Sequence, residues 1–332
     1  MAFSQAQKEN LLEVESKLLD HPFPPQLVIE TTSRCNMKCL HCSHKEMKRP
    51  RQDMDEDLFK KIVDEVAREM PECEIWPTFY GEALLLGDKL WGMLDYAAQA
   101  GCNHIVLNSN GILLSRNIDA VLASPLKRFI LSLDGFKKET FEKIRKGGNR
   151  DKIFAAVEKL LEKKAKSGQA NPVIQCQFSM MDENQAEVEE FTQYWRQRGA
   201  EVKTRRKLTW TSTGTITAAH IQRDPDFRIA CPWGNNAAAI HQDGNLVTCA
   251  VDYEGRYSSG NVAERSIKEL WQGPHLQQVR KLHREHKWDQ LPDICQTCPD
   301  WQVVGAVYKG QEGHKDGARP FWHQESGQQV QQ

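Results

Sequence analysis

The sequence carries almost no net charge, and it lacks both a signal peptide and a long apolar run. Lysine and arginine (44) nearly balance aspartate and glutamate (45), so the excess basic charge typical of nucleic-acid-binding proteins is missing. The first residues, MAFSQAQKEN, contain no apolar segment, and no uninterrupted apolar run reaches about 18 residues. We therefore expect a cytoplasmic protein that binds neither nucleic acid nor membrane, with the basic run KTRRK (203–207) on its solvated surface.

Cysteine is plentiful, but one short loop that holds three cysteines lacks a fourth. The chain has 10 cysteines, and in a reducing cytosol metal ligation explains them better than disulfides. The segment SRCNMKCLHCSH (33–44) contains Cys35, Cys39 and Cys42. Three thiolates at C-x3-C-x2-C suit a [4Fe-4S] cluster whose fourth iron is free to bind a small molecule. The alternatives are a zinc site completed by His41 or His44, or three unrelated thiols.

A second set of cysteines lies near the C-terminus. It comprises Cys231, Cys249, Cys295 and Cys298, arranged as C-x12-G-x4-C and, after a gap of 45 residues, C-x2-C. Four thiolates form a closed site, which suits either zinc or a fully ligated [4Fe-4S] cluster. Spacing alone does not choose between these two.

Apolar periodicity predicts strands that alternate with helices over most of the chain. The predicted strands are 26–32, 74–80, 104–108, 128–133, 172–179 and 201–206, and the predicted helices are 55–69, 89–100, 117–123, 138–145, 151–167 and 186–198. This alternation predicts an α/β fold with a parallel sheet, either open or curled into a partial barrel, whose chemistry lies at the carboxyl ends of the strands.

The chain divides into four predicted parts. They are an N-terminal helical leader (1–25), the α/β barrel (26–211), a linker with a small C-terminal domain (212–318), and a disordered tail (319–332). Within the C-terminal domain we predict two strands around the turn QDGN (237–241 and 246–250) and two helices (266–271 and 274–286). The Asp-Gly pair in that turn is the signal of a tight hairpin.

The cysteine loop after the first strand resembles the signature of the radical S-adenosylmethionine superfamily. The segments FYGEALL, NSNG and SLDG, after the next three strands, are similar to segments of that family. The resemblance implies a partial (β/α)6 barrel with these S-adenosylmethionine-binding residues: His41, Gly81, Glu82, Asn108, Asn110, Ser132, Asp134 and Arg145. It places Gly81 and Glu82 at the methionine amino group, Arg145 at the methionine carboxylate, and His41 on the adenine, where the family commonly has an aromatic ring.

Strand alternation gives an independent check of this resemblance, because alternate residues of a strand face the same side of the sheet. In each predicted strand the polar residues named above fall on one set of alternate positions. These sets are Trp76, Thr78, Tyr80 and Glu82; Val106, Asn108 and Asn110; and Ile130, Ser132 and Asp134. We therefore expect them to face the barrel interior together.

The C-terminal cysteines resemble those of SPASM domains, which open with C-x12-G-x4-C. Because no cysteine follows Cys298, the resemblance implies the shortened twitch version, with one auxiliary [4Fe-4S] cluster held by all four cysteines. The spacing is similar to that of twitch-type dehydrogenases that oxidise 2-deoxy-scyllo-inosamine. The implied cofactors are two [4Fe-4S] clusters and S-adenosyl-L-methionine, and the implied electron donor is a reduced flavodoxin or ferredoxin.

The resemblance also implies a reaction. One electron cleaves S-adenosylmethionine on the open iron, and the resulting 5'-deoxyadenosyl radical removes a hydrogen atom from the substrate. A fully ligated auxiliary cluster is suited to accept a second electron, so we expect an oxidoreductase that oxidises an alcohol of a sugar or aminocyclitol. Substrate-binding candidates are Gln175, Gln177, Arg205, Arg206, Trp210 and Trp233.

Three other functions are weighed against this one. A peptide maturase often has an N-terminal leader-binding region, and only about 25 residues precede the first strand. An epimerase needs a hydrogen donor, but Cys73, Cys102 and Cys176 have the pattern of core residues. A non-catalytic electron-transfer or zinc-stabilised binding protein leaves the GE, NSNG and SLDG segments unexplained.

Overall fold

The computed structural model describes residues 3–208, 224 and 226–301. Its helices are α1 (Gln5–Ser16), α2 (Glu56–Glu69), α3 (Asp88–Ala100), α4 (Leu114–Ala123), α5 (Lys138–Ile144), α6 (Arg150–Ser167), α7 (Val188–Gln197), α8 (Pro232–Asn236), α9 (Ile267–Trp271), α10 (Pro274–Arg284) and α11 (Asp293–Gln296). Its strands are β1 (Gln26–Ile29), β2 (Glu74–Trp76), β3 (Val106–Ser109), β4 (Arg128–Ser132), β5 (Val173–Met180), β6 (Glu201–Arg206), β7 (Ala237–Ile240), β8 (Asn245–Val247) and β9 (Ser258–Asn261).

The first six strands form a parallel α/β barrel wall in sequence order. Strands β3 to β6 make one sheet, and β2 pairs with β1 in another. A parallel bridge between Ile75 and Ile105 joins the two sheets. The predicted partial barrel of alternating strands and helices is confirmed.

The C-terminal segment extends the same wall. Strand β7 pairs in parallel with β1 from Gln26–Ala237 to Ile29–Ile240, and β8 and β9 follow it antiparallel. The predicted hairpin is present, and Gly244 in its turn has φ 89°, a conformation that favours glycine. The C-terminal segment is therefore joined to the barrel through backbone hydrogen bonds as well as side-chain packing.

Apolar side chains pack between the strands and the helices that cover them. Helix α2 begins after the N-cap Asp55 and buries Phe59, Ile62 and Val66. The thiols of Cys73, Cys102 and Cys176, each fully buried, lie in this core, as predicted. None of the described helices is both long and apolar enough to cross a bilayer.

Two predictions about strands are wrong. Strand β2 ends at Trp76 instead of continuing to Tyr80, because Pro77 has no N–H to donate to a sheet ladder. The alternation expected from Thr78 to Glu82 therefore has no strand to support it. The prediction of a solvated surface for 203–207 does not hold for the side chains that the structure describes: Lys207 is 3% exposed, and Lys203 and Arg205, in the last barrel strand, are half-buried.

Some predicted features lie outside the described residues. These are Trp210, the side chain of Arg206, most of the predicted linker, and the predicted tail. The predicted domain limits within 209–223 and beyond 301 therefore stay predictions.

Candidate functional site

The three-cysteine loop follows β1 and is held by backbone hydrogen bonds to the end of α5. The N–H groups of Lys38 and Leu40 donate to the carbonyls of Lys146 (2.9 Å) and Ile144 (2.8 Å). Within the loop, the Cys42 N–H donates to the Cys39 carbonyl (3.2 Å). This folds the segment back on itself, so the three thiols converge.

The electrostatics of these thiols fit a cluster. Burial, together with the smaller effect of the charges of neighbouring cysteines, raises the pKa of Cys35 to about 11 and that of Cys42 to about 12. Thiols that raise one another's pKa lie close together, and only a positively charged centre would make all three thiolates favourable. The donor set therefore fits an iron-sulfur cluster, whose loading would release protons.

Gly81 is fixed by close contact with the start of this loop. A Cβ atom at Gly81 would lie 2.0 Å from the Thr32 carbonyl oxygen and 2.8 Å from that of Arg34. The next residue, Glu82, donates its N–H to the Arg34 carbonyl at 2.8 Å. Only glycine permits this approach.

The Glu82 carboxylate connects the GE and NSNG segments. It accepts hydrogen bonds from the Ser109 hydroxyl (2.8 Å), the Asn110 N–H (2.8 Å) and the Leu84 N–H (3.2 Å). Burial nevertheless raises its pKa. The Asn110 amide donates to Asn36 (2.8 Å) in the cysteine loop. These contacts bring together residues that the resemblance assigned to S-adenosylmethionine, although their contacts with it stay predictions.

Asp134, Arg145 and His41 form a buried charged group beside Cys39. Arg145 pairs with Asp134 and also lies 3.8 Å from the Cys39 sulfur. His41 Nε2 is 3.4 Å from the Asp134 carboxylate, yet burial lowers the His41 pKa to about 3, so its ring is neutral. Burial has the largest single effect and raises the pKa of Asp134. The charge of Arg145, the hydrogen bond from the Ser179 N–H and the other neighbouring charges together outweigh it, so the pKa lies below its ordinary value.

Two buried nitrogens of this group have no hydrogen-bond partner among the described residues. They are Nε of Arg145 and Nδ1 of His41. Buried donors and acceptors are rarely left unsatisfied unless a ligand completes them. Both atoms fit the predicted roles of these residues toward a methionine carboxylate and an adenine, respectively.

A chain of polar side chains crosses the barrel interior on three adjacent strands. The Ser132 hydroxyl donates to the Asn108 side-chain oxygen (2.9 Å), and the Gln177 amide donates to Ser132 (3.4 Å). Gln175 lies one layer deeper, where it donates to Glu201 at the start of β6 (3.2 Å). Of the two predicted glutamines, Gln177 is therefore nearer to the cysteine loop.

Strand β6 adds two cations to the same interior. Its register pairs Gln177 with Lys203 and Ser179 with Arg205. Burial lowers the pKa of Lys203 to about 8. Sequence reasoning selected Arg205 but missed Lys203, although the two residues share one strand parity.

Aromatic side chains line the opposite wall. Trp76, Phe79 and Trp233 pack around Val28 of β1 and Ala239 of β7, in a cluster separate from the helix-facing core. The predicted candidate Trp233 thus lies on the apolar wall formed where the C-terminal segment joins the barrel.

The four C-terminal cysteines also converge. They lie before α8, after β8, within α11 and just after α11. Burial raises the pKa of Cys249 well above its ordinary value, and the charges of Cys231, Cys295 and Cys298 raise it further. Over residues 3–208, 224 and 226–301, no three Cys, His, Asp or Glu side chains are arranged to hold a single metal ion.

Tyr80 lies between the two cysteine sets. Its buried hydroxyl donates to the Ala250 carbonyl at 2.8 Å, directly after Cys249. After burial, the charges of Cys42 and Cys249 are the largest influences that raise the Tyr80 pKa. No sequence signal pointed to this residue as a link, because the contact spans 170 positions.

A buried ion pair connects the same two regions. Arg49, just past the cysteine loop, donates to both carboxylate oxygens of Glu30, which follows β1. The same guanidinium bonds Gln242 in the hairpin turn and the Tyr253 carbonyl (2.6 Å). Both cysteine sets are therefore anchored to one network.

An open three-cysteine site at the carboxyl end of a parallel α/β barrel, with a closed four-cysteine site beside it, defines an iron-sulfur enzyme class that uses S-adenosylmethionine. The Radical SAM superfamily model matches residues 29–193, and the SPASM iron-sulfur cluster-binding domain model matches residues 231–299. The chain is a radical SAM superfamily enzyme with a C-terminal SPASM domain, and its cofactors are S-adenosylmethionine and two iron-sulfur clusters.

Curated relatives match about half of the chain. GTP 3',8-cyclase of Peptoclostridium acidaminophilum is 30% identical over 169 residues, and that of Clostridium botulinum strain Hall is 27% identical over 169 residues, each covering 50% of both chains. The chain spans about half the length of the curated relatives that it matches.

Solved structures share the fold over more of the chain. BtrN in complex with AdoMet and 2-DOIA has a TM-score of 0.58 at 19% identity, covering 84% of this chain and 94% of that one. Streptococcus suis SuiB bound to precursor peptide SuiA has a TM-score of 0.65 at 12% identity, covering 89% and 74%. The resemblance to the 2-deoxy-scyllo-inosamine dehydrogenase, BtrN, is confirmed at the level of the fold.

Proposed function

We propose that this radical SAM enzyme oxidises an alcohol of a small polar substrate, a sugar or an aminocyclitol, with the auxiliary cluster as electron acceptor. The observation that carries this proposal is the closed four-cysteine set beside the barrel, with Tyr80 between it and the open three-cysteine set. A closed set leaves no iron for a substrate, which suits electron transfer.

The chain's own residues support an alcohol substrate. When bound, S-adenosylmethionine and the clusters supply hydrogen-atom abstraction and electron transfer. Oxidation to a ketone removes one hydrogen atom, one proton and one electron from the alcohol. Ser132 and Gln177 offer hydroxyl and amide groups that can orient substrate hydroxyls. The buried interior excludes water from a reactive intermediate.

Oxidation is favoured over epimerisation by the position of the remaining thiols. An epimerase returns a hydrogen atom to its substrate, and cysteine is a common donor. Cys73, Cys102 and Cys176, the three outside the two sets, lie fully buried in the helix-facing core. Their sulfurs therefore lie on the far side of the strands from the polar interior.

A peptide maturase is the second candidate. The likeness to SuiB bound to its precursor peptide, over 89% of this chain, favours it. A peptide substrate would require an open path into the barrel, whereas the polar layer of Ser132 and Gln177 is buried. For either reaction we propose a reduced flavodoxin or ferredoxin as the electron donor.

The proposal is tested first by anaerobic reconstitution and iron analysis. The wild type should hold about eight irons, and a Cys35/Cys39/Cys42 triple Ala variant about four, since each [4Fe-4S] cluster contributes four. S-adenosylmethionine cleavage should require the wild type. About four irons with tightly held zinc in the wild type would remove the electron acceptor and overturn the proposal.

The reaction type is tested with C-deuterated sugars and aminocyclitols. Oxidation predicts deuterated 5'-deoxyadenosine and ketone in equal amounts, together with an electron paramagnetic resonance signal from the reduced auxiliary cluster. Recovery of inverted alcohol would indicate an epimerase instead. Modification of a peptide, with no alcohol oxidised, would indicate a maturase.

A further inference from the structure

We propose that the substrate carries an anionic group, a carboxylate or a phosphate, that binds inside the barrel at Lys203 and Arg205. The inference rests on the proposed function for placing the substrate in the barrel, and it adds the charge of that substrate. It favours a sugar acid or sugar phosphate over an aminocyclitol.

Strand register places both cations in the interior. Lys203 pairs with Gln177 and Arg205 with Ser179, and Gln177 bonds Ser132 across the interior. The intervening Val202 packs in the helix-facing core. Because alternate residues of a strand face opposite sides, Lys203 and Arg205 face inward.

Electrostatic interactions across the barrel agree with this placement. Burial has the largest effect on the pKa of Lys203. The charges of Arg205 on the same strand, Glu74 of β2 and Arg128 of β4 also affect this pKa. Strand β2 lies four strands away from β6 in the wall. Such an influence agrees with a Lys203 side chain that points into the interior of the curved wall.

Two carboxylates near these cations, those of Asp134 and Glu74, are held by other residues. Asp134 pairs with Arg145, and Glu74 accepts a hydrogen bond from the Trp76 indole at 2.6 Å. No ion pair joins Lys203 to a carboxylate of the described residues. The interior therefore holds a cation whose charge the chain's own described carboxylates do not neutralise by direct contact.

Desolvation makes an anionic ligand favourable here. Burial lowers the pKa of both Lys203 and Arg205 below their ordinary values, which reflects the cost of keeping these charges away from water. An anion bound between them would offset that cost through charge-assisted hydrogen bonds. A substrate ammonium group would instead be repelled by both cations.

The hydrogen-bonding groups around the cations define the rest of the ligand. Ser132 and Gln177 lie in the same layer and can bind hydroxyl groups. On the other wall Trp76, Phe79 and Trp233 present aromatic surface, which suits the C–H face of a sugar. Together these features fit a polyhydroxylated molecule with an acidic substituent.

The test compares four probes that share a six-carbon framework: glucose 6-phosphate, gluconate, glucose and glucosamine. Calorimetric titration of the anaerobic holoenzyme, which needs no turnover, should detect binding of one or both anions. Glucose and glucosamine should bind at least about tenfold more weakly, the equivalent of one charge-assisted contact. Comparison of the two anions distinguishes a phosphate site from a carboxylate site.

Variants test whether Lys203 causes the preference for anionic ligands. Lys203→Met should weaken anion binding by about tenfold, Lys203→Arg should retain most of it, and Lys152→Met, an exposed lysine on the outer helix α6, should leave it unchanged. Absorbance of both clusters confirms folding. The proposal is overturned if the wild type binds no anion or binds glucosamine equally well, or if Lys203→Met keeps the preference. Alcohol oxidation, assayed separately, judges the proposed function on its own.

Discussion

Gly81→Ala should remove the three-cysteine cluster while leaving the auxiliary cluster in place. The added Cβ would lie 2.0 Å from the Thr32 carbonyl oxygen, 2.7 Å from the Thr32 carbonyl carbon and 2.8 Å from the Arg34 carbonyl oxygen. All three are backbone atoms of the segment that leads into the cysteine loop. A flexible side chain could move aside cheaply, but these atoms cannot.

The size of the effect follows from these distances. Reaching an ordinary contact of 3.4 Å requires the two segments to separate by about 1.4 Å. The hydrogen bond from the Glu82 N–H to the Arg34 carbonyl, 2.8 Å at present, would then break or distort severely. Overpacking of this kind costs about 1–3 kcal/mol, and a broken buried backbone hydrogen bond adds about 1 kcal/mol.

Iron content and thermal unfolding of the reconstituted protein measure this outcome. Gly81→Ala should hold about four irons instead of about eight. Gly92→Ala is a matched control, because a Cβ at this glycine in α3 meets nothing within 4 Å and alanine favours a helix by up to about 1 kcal/mol. The reasoning fails if Gly81→Ala keeps both clusters and unfolds at the same temperature as Gly92→Ala.

Two further predictions concern residues where the barrel meets the C-terminal segment. Arg49→Met leaves Glu30 buried without its partner and should lower the free energy of unfolding by about 3–5 kcal/mol. The double variant Arg49→Met/Glu30→Gln should recover part of this loss. If denaturant unfolding shows that the losses of the two single variants simply add, Arg49 and Glu30 are not coupled and the prediction is contradicted. His241 is buried, and desolvation lowers its pKa from 6.5 to about 3. Between pH 6.5 and about 3, His241 therefore binds a proton in the unfolded chain but not in the folded chain. The free energy of unfolding is not reduced by His241 above pH 6.5, and it falls as the pH drops below 6.5. His241→Asn should flatten the dependence of unfolding free energy on pH by up to about 1.4 kcal/mol per unit, and an unchanged slope would refute the assignment.

Local sequence patterns predicted the parts of the site that are local. The spacing of Cys35, Cys39 and Cys42 indicated the open cluster, and the Radical SAM superfamily model matches the region that contains these three cysteines. Six barrel strands were recognised from apolar periodicity, with ends displaced by a few residues. Periodicity reports which side chains are buried, whereas strand ends depend on hydrogen bonding between strands, which is not local. Pro77 is the exception, since its missing N–H could have indicated the end of β2 from the sequence alone.

The position of Lys203 shows where local reasoning fails. The composition of the run 203–207, four cations in five residues, predicts a solvated surface. In a strand, however, successive side chains point to opposite faces, so the residues of this run that lie in β6 are divided between two faces. Which face is interior depends on the register of β6 against β5, where Lys203 meets Gln177. Knowing that Gln177 is an interior residue would have placed Lys203 inside as well. The error therefore came from applying the parity argument to β5 and not to its neighbour.

The continuity of the sheet bears on how the two clusters work together. Strand β7 lies against β1 over four residue pairs, and the three-cysteine loop begins a few residues after β1 ends. Glu30, immediately after β1, donates its N–H to the Ile240 carbonyl at the end of β7 (2.9 Å). A shift of the C-terminal segment relative to the barrel would break this ladder as well as the buried ion pair of Glu30. Because sheet hydrogen bonds are cooperative and directional, the separation between the two cysteine sets is fixed by the backbone. A fixed separation favours the electron transfer to the auxiliary cluster that we propose.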